Sequence, residues 1–481
     1  MKKITIATCL AVLLIGCGSD TIKKVDDNKS DPEQKEQNPN NPLEVEEGKK
    51  RFNLYCATCH GSDAKGKTGP NIVGVTIEDI AEEIAGNSAM TYMQGVVVEE
   101  DHRLIAIYLD ELKREGGEDD KFSQEKAELG KRLFFDTNLS LTKTLSCASC
   151  HDPLHAFIDA RFDSNPIDGA LSVGDDSQTL GGRNTPTVAY AKFIPDFLKI
   201  DDSTYLGGQF WDGRAKNLKE QAKGPFLDPA EMMMPHATSV VSRVKQSVTY
   251  QERFKKLYGA DIFNDNDKAY DAIAETIAQF EKTAELSPFD SKYDRSKLPY
   301  YHVDHYEMTA KEKLGYKLFF SDDTHCRKCH TTSSNTESSI EIFTNFRYEN
   351  IGVPKNLTAL LARDGHTDKI DLGLGGRADI NDVQHYGKFK VPTLRNIAVT
   401  APYMSNGVFK ELKTVIKYFD YMAGNGHPLN PETGSPWRDA EVNSTINHDI
   451  LKTLKPLDDE KIEALESFLK LLTDKKYEGL L

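Results

Sequence analysis

No cysteine in the body of this 481-residue chain is left over for a disulfide. Cys9 and Cys17 lie near the N-terminus, and the other six fall into three C-x-x-C-H runs: Cys56/Cys59/His60, Cys147/Cys150/His151 and Cys326/Cys329/His330. Positive charge is also short. There are 60 Lys and Arg against 75 Asp and Glu, a net charge of -15, which speaks against a nucleic-acid partner. After the first residues no apolar run is long enough for a membrane span, and Ile4 to Ile15 is too short for a permanent one. Long alternating strands are missing too, whereas Ile80 to Ile84, Arg103 to Leu112, Ala269 to Phe280 and Ile462 to Leu472 carry apolar residues at helical spacing. These absences leave a mainly α chain with room for roughly three domains.

The start of the chain reads as an address. Lys2 and Lys3 precede the apolar run, giving a signal peptide over residues 1–16. Leu14-Ile15-Gly16-Cys17 resembles a bacterial lipobox, which implies acylation of Cys17 and a lipid anchor in the cell envelope, on the periplasmic side. Gly18 to about Pro42 holds hardly any large apolar residue and cannot bury enough surface to fold, so residues 17–44 are expected to form a flexible tether.

Each C-x-x-C-H places two thiols on one helical turn, where they can form thioethers to a porphyrin's vinyl groups, with an imidazole beside them to ligate iron. A disulfide or a zinc site would explain one such run; threefold recurrence points to three covalently bound haems c. The surroundings repeat as well: Gly48-Lys49-Lys50-Arg51-Phe52, Gly130-Lys131-Arg132-Leu133-Phe134-Phe135 and Gly315-Tyr316-Lys317-Leu318-Phe319-Phe320 precede the three runs. That internal repeat predicts three tandem cytochrome c-like units over 45–116, 117–298 and 299–481. Boundaries fall at the charged, glycine-containing stretch Arg114 to Lys121 and near Ser287 to Tyr301, where Pro288 and Pro299 interrupt the periodicity.

The first unit, from Cys56 through Gly69-Pro70-Asn71 to the helix Arg103 to Leu112, resembles a class I cytochrome c. The resemblance implies a methionine sulfur opposite His60, with Met90 the expected ligand and Met93 its competitor, and so an electron carrier without a substrate site.

From Leu129 onward the chain resembles the bacterial di-haem cytochrome c peroxidase and MauG superfamily. The residues that carry this are Leu145 to Pro153, Gly182-Arg183-Asn184-Thr185-Pro186-Thr187, Gln209-Phe210-Trp211-Asp212-Gly213-Arg214-Ala215, Glu220-Gln221-Ala222, Pro229-Ala230-Glu231-Met232 and Val391-Pro392-Thr393-Leu394-Arg395-Asn396, followed by Thr400-Ala401-Pro402-Tyr403. It implies His151 as proximal ligand of a peroxidatic haem, Glu231 as distal acid/base and Gln221 as its hydrogen-bonding neighbour. Trp211 would lie between the two haems. Arg214 would meet a propionate or belong to the Asp-Gly turn beside it. Asn184, Thr400 and Pro402 match the oxygen ligands of one calcium ion, a hard cation that such donors suit.

Two departures from the family pattern stand out. Where many of these peroxidases have a Ser-Ile-Gly-His loop that blocks the resting iron, this chain has Ser172-Val173-Gly174-Asp175, and Asp175 is a poor haem ligand; His155 and His236 are the remaining candidates. A peroxidatic haem open at all times is therefore expected. In the third unit the position opposite His330 aligns with Phe419, which cannot bind iron, leaving Met422, Met404, Tyr418 and Tyr421 as competitors.

The implied function is reduction of hydrogen peroxide with electrons from a cytochrome, another small redox protein or a membrane quinol. MauG-like oxidation of a partner protein and a pure electron-transfer protein are the rival expectations.

Overall fold

In the computed structural model the described residues are 42–56, 76–86, 97–161, 167, 169–298, 300, 303–332 and 341–481. The chain is mainly helical, and the strands among the described residues are two antiparallel pairs of two residues each, β1 (Leu198–Lys199) with β2 (Tyr205–Leu206) and β3 (Tyr348–Glu349) with β4 (Phe389–Lys390). No described helix is long and apolar enough to cross a membrane. Tertiary contacts divide the chain into two units, residues up to Lys113 and residues from Arg114.

The first unit contains α1 (Pro42–Tyr55), α2 (Ile77–Gly86) and the start of α3 (Glu99–Phe134). Phe52, Ile80, Ile84, Ile105 and Leu109 form its core. α3 carries helical backbone through Arg114 to Lys121, where the sequence places a boundary. Lys, Arg and Glu there favour helix, and two glycines at about 1 kcal/mol each do not outweigh them.

The second unit starts with the end of α3 and continues through α4 (Cys147–Cys150), α5 (Leu218–Leu227), α6 (Ala237–Lys245), α7 (Val248–Tyr258), α8 (Asn266–Glu281), α9 (Lys292–Arg295), α10 (Ala310–Phe319), α11 (Cys326–Cys329), α12 (Leu357–Asp364), α13 (Leu412–Met422), α14 (His448–Leu451) and α15 (Asp459–Lys470). It holds two large cores, one around Phe134, Phe157, Phe226 and Phe280, the other around Phe319, Phe343, Phe409 and Phe468. Between them, Tyr190 donates to Asp474 at 2.5 Å, and fully buried Arg395 pairs with Asp294 at 2.6 Å.

The three repeated segments make one and the same helix crossing. A Cβ on Gly48 would lie 2.0 Å from the Leu104 carbonyl oxygen, one on Gly130 2.0 Å from that of Thr276, and one on Gly315 1.9 Å from that of Ala464. Only a residue without a side chain permits such an approach. Four residues further along each partner, an aromatic pair closes the crossing: Phe52 with Tyr108 at 5.4 Å, Phe134 with Phe280 at 5.3 Å, and Phe319 with Phe468 at 5.1 Å between ring centroids. The repeated aromatics thus pack helix on helix.

Candidate active site

Cys147 and Cys150 sit on the single turn α4, which Ser146 and Ser149 cap reciprocally. The ring of His151 is fixed by a hydrogen bond from Nδ1 to the Phe157 carbonyl oxygen at 3.1 Å. A carbonyl only accepts, so Nδ1 carries the proton and Nε2 keeps the lone pair that a metal needs. His330 repeats this arrangement, with Nδ1 2.9 Å from the Phe343 carbonyl oxygen, after Cys326 and Cys329 on α11. Burial lowers the pKa of both imidazoles, that of His330 to about 4, so both stay neutral as ligation requires. All four thiols are free, and burial pushes those of Cys150 and Cys329 up to about 12. This donor set fits haem c: unoxidised thiol pairs one turn apart and an imidazole with its far nitrogen available.

Around His330 lies an extended, largely apolar cavity. Phe319, Trp211, Phe419 and Met404 line it, whereas Met422 does not and packs against Gly352 instead. The same cavity brings together Asn184, Thr400 and Pro402 from distant parts of the chain. These offer amide, hydroxyl and carbonyl oxygens, which suits a hard cation. The indole Nε1 of Trp211 donates to the Asn184 carbonyl oxygen at 2.8 Å, and the Trp211 carbonyl accepts from the backbone of Lys390 at 2.9 Å. Trp211 is thereby held by residues of both halves of this unit.

Glu231 lies at a second opening, a cleft lined also by Phe210, Arg214, Lys216, Pro225 and Asp228. Pro225 sits in the last turn of α5, and its carbonyl accepts from Met232, while the Asp228 carbonyl accepts from Glu231 and Met233. These bonds fold the chain back and leave Glu231 half-buried where it lines the cleft. Burial, reinforced by the charge of Asp228 and opposed by Arg214, raises its pKa from 4.5 to about 7. A carboxyl that gains and loses a proton near neutrality is suited to acid/base work. Arg214 stacks on Phe210, 3.6 Å from the ring centroid, and its Nη1 donates to Asp212 at 3.1 Å, so it belongs to the Asp-Gly turn. Gln221 lies on α5, outside the residues lining the cleft, and among the described residues no hydrogen bond joins it to Glu231.

The loop with Asp175 is anchored. Its carboxylate accepts from the Ser140 and Thr144 hydroxyls, both at 2.7 Å, and from the backbone of Thr142 and Leu145. His155 pairs with Asp152 at 2.7 Å, and His236 caps α6, so both have partners away from Glu231.

Sequence reasoning passed over Glu281. It ends α8 with 3% exposure, and burial raises its carboxyl to about 8. The available signal was its four-residue spacing after Ile273 and Ile277, which puts it on an apolar face. Cys59, His60 and Met90 of the first unit lie outside the described residues, as do Cys17 and Met93; Cys56 is buried at the end of α1.

A family model described as di-haem cytochrome c peroxidase matches residues 124–298, and one described as subunit III of cbb3-type cytochrome c oxidase matches residues 43–109. Methylamine utilization protein MauG of Paracoccus denitrificans is 44% identical over 357 residues, 74% of this chain and 90% of that protein. Cytochrome c551 peroxidase of Nitrosomonas europaea is 36% identical over 295 residues, 61% of this chain and 72% of that protein. Among solved structures, the diheme peroxidase BthA from Burkholderia thailandensis is similar with a TM-score of 0.62 at 27% identity, covering 74% of this chain and 87% of that one.

Proposed function

This chain belongs to the di-haem cytochrome c peroxidase and MauG family, and on that premise we propose that it is a three-haem peroxidase of the bacterial envelope. Membership makes it an oxidoreductase with covalently bound haem c, peroxide as substrate and a cytochrome as the class of electron donor. The number of haems is our reading, supported by three C-x-x-C-H runs and by three matching glycine crossings.

The observation that carries the reading is Glu231, a half-buried carboxyl raised to about 7 that lines a cleft. Held by Cys147, Cys150 and His151, haem c would supply the redox-active iron for this chemistry. Glu231 would take a proton from one oxygen of peroxide and hand it to the other. The oxygen that then carries both hydrogens leaves as water, and two electrons with two further protons turn the remaining oxygen into the second water. Electrons would enter through the first unit and pass the His330 site and Trp211, from a periplasmic cytochrome, another small redox protein or a quinol. We further propose a calcium ion at Asn184, Thr400 and Pro402, and a lipid anchor on Cys17 holding the chain at the membrane.

Resting-state EPR combined with peroxide turnover, before and after partial reduction, tests the function. A high-spin ferric signal with turnover from the fully oxidised protein is expected. Low-spin signals alone with no turnover at either stage would leave an electron-transfer protein. Similarity to MauG over nine-tenths of that protein favours a second reading, oxidation of a residue in a partner protein, and Phe419 at the position opposite His330 weighs against it. A covalent change in the partner after peroxide addition would distinguish that reading.

A further inference from the structure

The helix α13 covers the His330 cavity with Leu412, Val415, Ile416, Phe419 and Asp420. The tyrosine, methionine, aspartate and lysine side chains of α13 are engaged elsewhere, and Thr414 is buried outside the residues that line the cavity. Tyr418 donates to the Gly352 carbonyl oxygen and packs on Trp437 at 5.1 Å, and Tyr421 stacks on the same indole at 5.7 Å. Met422 is turned to Gly352, where a Cβ would lie 2.5 Å from its Cε. The Asp420 carboxylate accepts from His427 Nδ1 and from the Leu457 backbone, both at 2.9 Å. Lys413 and Lys417 face Glu466 at 3.6 Å and Asp459 at 3.3 Å.

Three other cavity-lining donors are committed as well. Tyr403 donates to the Ile397 carbonyl oxygen at 3.0 Å, Lys390 to that of Gly208, and Lys455 pairs with Asp323 at 2.7 Å. His325 directly precedes Cys326 and so stays at the attachment edge. Met404 sits in a left-handed turn with φ 73°, and the next residue, Ser405, is tied to the Asn184 backbone at 2.8 Å, on the side toward Trp211.

We propose that the iron held by His330 has no protein ligand on the face covered by α13, where Phe419 presents a phenyl ring, and that it takes a small exogenous ligand such as carbon monoxide when ferrous. A phenyl ring has no σ lone pair, and its apolar wall excludes water, so a neutral diatomic is the ligand class such a site accepts. The inference rests on the reading that Cys326, Cys329 and His330 hold haem c.

The test is carbon monoxide titration of the dithionite-reduced holoprotein, with haem counted by pyridine haemochrome and the Cys326/Cys329 peptide weighed by mass spectrometry. Phe419→Met should bind one carbon monoxide fewer per chain than the wild type, with haem content unchanged, and Met404→Leu should match the wild type. Equal stoichiometry in the wild type and Phe419→Met would overturn the inference. So would a gain of one carbon monoxide in Met404→Leu, which would assign Met404 as ligand. A haem-free Cys326/Cys329 peptide would overturn the attachment reading itself, and that outcome is seen in the mass alone.

Discussion

The backbone N–H of Asp175 donates to the carbonyl oxygen of Glu231 at 2.9 Å. The loop that carries Asp175 is therefore stitched to the segment bearing Glu231. On its other side, the Asp175 carboxylate is held by Ser140, Thr142, Thr144 and Leu145, just before the attachment turn at Cys147. One residue thus connects the two segments that would face opposite sides of one haem.

Removing that connection should cost stability. Asp175→Ala removes the acceptor used by the buried Ser140 hydroxyl and by the Thr142 N–H, at about 0.5–1.5 kcal/mol for each lost bond. A thermal unfolding scan of the holoprotein should show a drop in Tm of several degrees, and an unchanged Tm would mean that water replaces the carboxylate without loss.

Glu231→Gln keeps the shape and removes the proton carrier. Peroxide turnover is expected to fall on the order of 10²–10⁴-fold, with haem content intact. Steady-state assays with a reduced cytochrome donor measure this, and turnover within a factor of two of wild type would remove Glu231 from the mechanism.

The pH profile follows from the causes of the Glu231 shift. As a base toward peroxide the carboxyl must be ionised, so kcat/KM for peroxide should rise with pH through about 7. Asp228 disfavours the charged form, so Asp228→Asn should move this limb to lower pH. Arg214 favours it, so Arg214→Met should move the limb to higher pH. Linkage has the matching sign: the folded chain holds this proton more tightly than the unfolded one, so the stability from the group is present below pH 4.5 and is lost as pH rises through about 7. Shifts opposite to these directions would contradict the placement of both neighbours.

Gly130→Ala and Gly315→Ala push a methyl group into the Thr276 and Ala464 carbonyls. The helices must separate, at about 1–3 kcal/mol in each case. Tm should fall for both, while Gly259→Ala, with open space around it at φ 96°, suffers backbone strain without helix separation. Denaturant unfolding monitored by circular dichroism separates these cases, and wild-type stability in Gly130→Ala would mean that the crossing relaxes freely.

The sequence by itself determined the chemistry that short spacing encodes. Two thiols and an imidazole in five residues carry their geometry with them, and four-residue apolar spacing made α2, α3, α8 and α15 legible before any coordinate. The repeated Gly and Phe also showed that one unit recurs; Phe52, Phe134 and Phe319 close helix crossings, and Phe319 lines the His330 cavity as well. Tertiary structure decided what depends on residues far apart in the chain. Burial and the opposing charges of Asp228 and Arg214 set the proton affinity of Glu231, and no local pattern records burial. The partners of the Asp175 carboxylate lie 30 or more residues upstream, and Met422 packs against Gly352, 70 residues back in the chain. Covalent spacing is a property of neighbours in sequence; desolvation, electrostatic tuning and the direction a side chain takes are properties of neighbours in space.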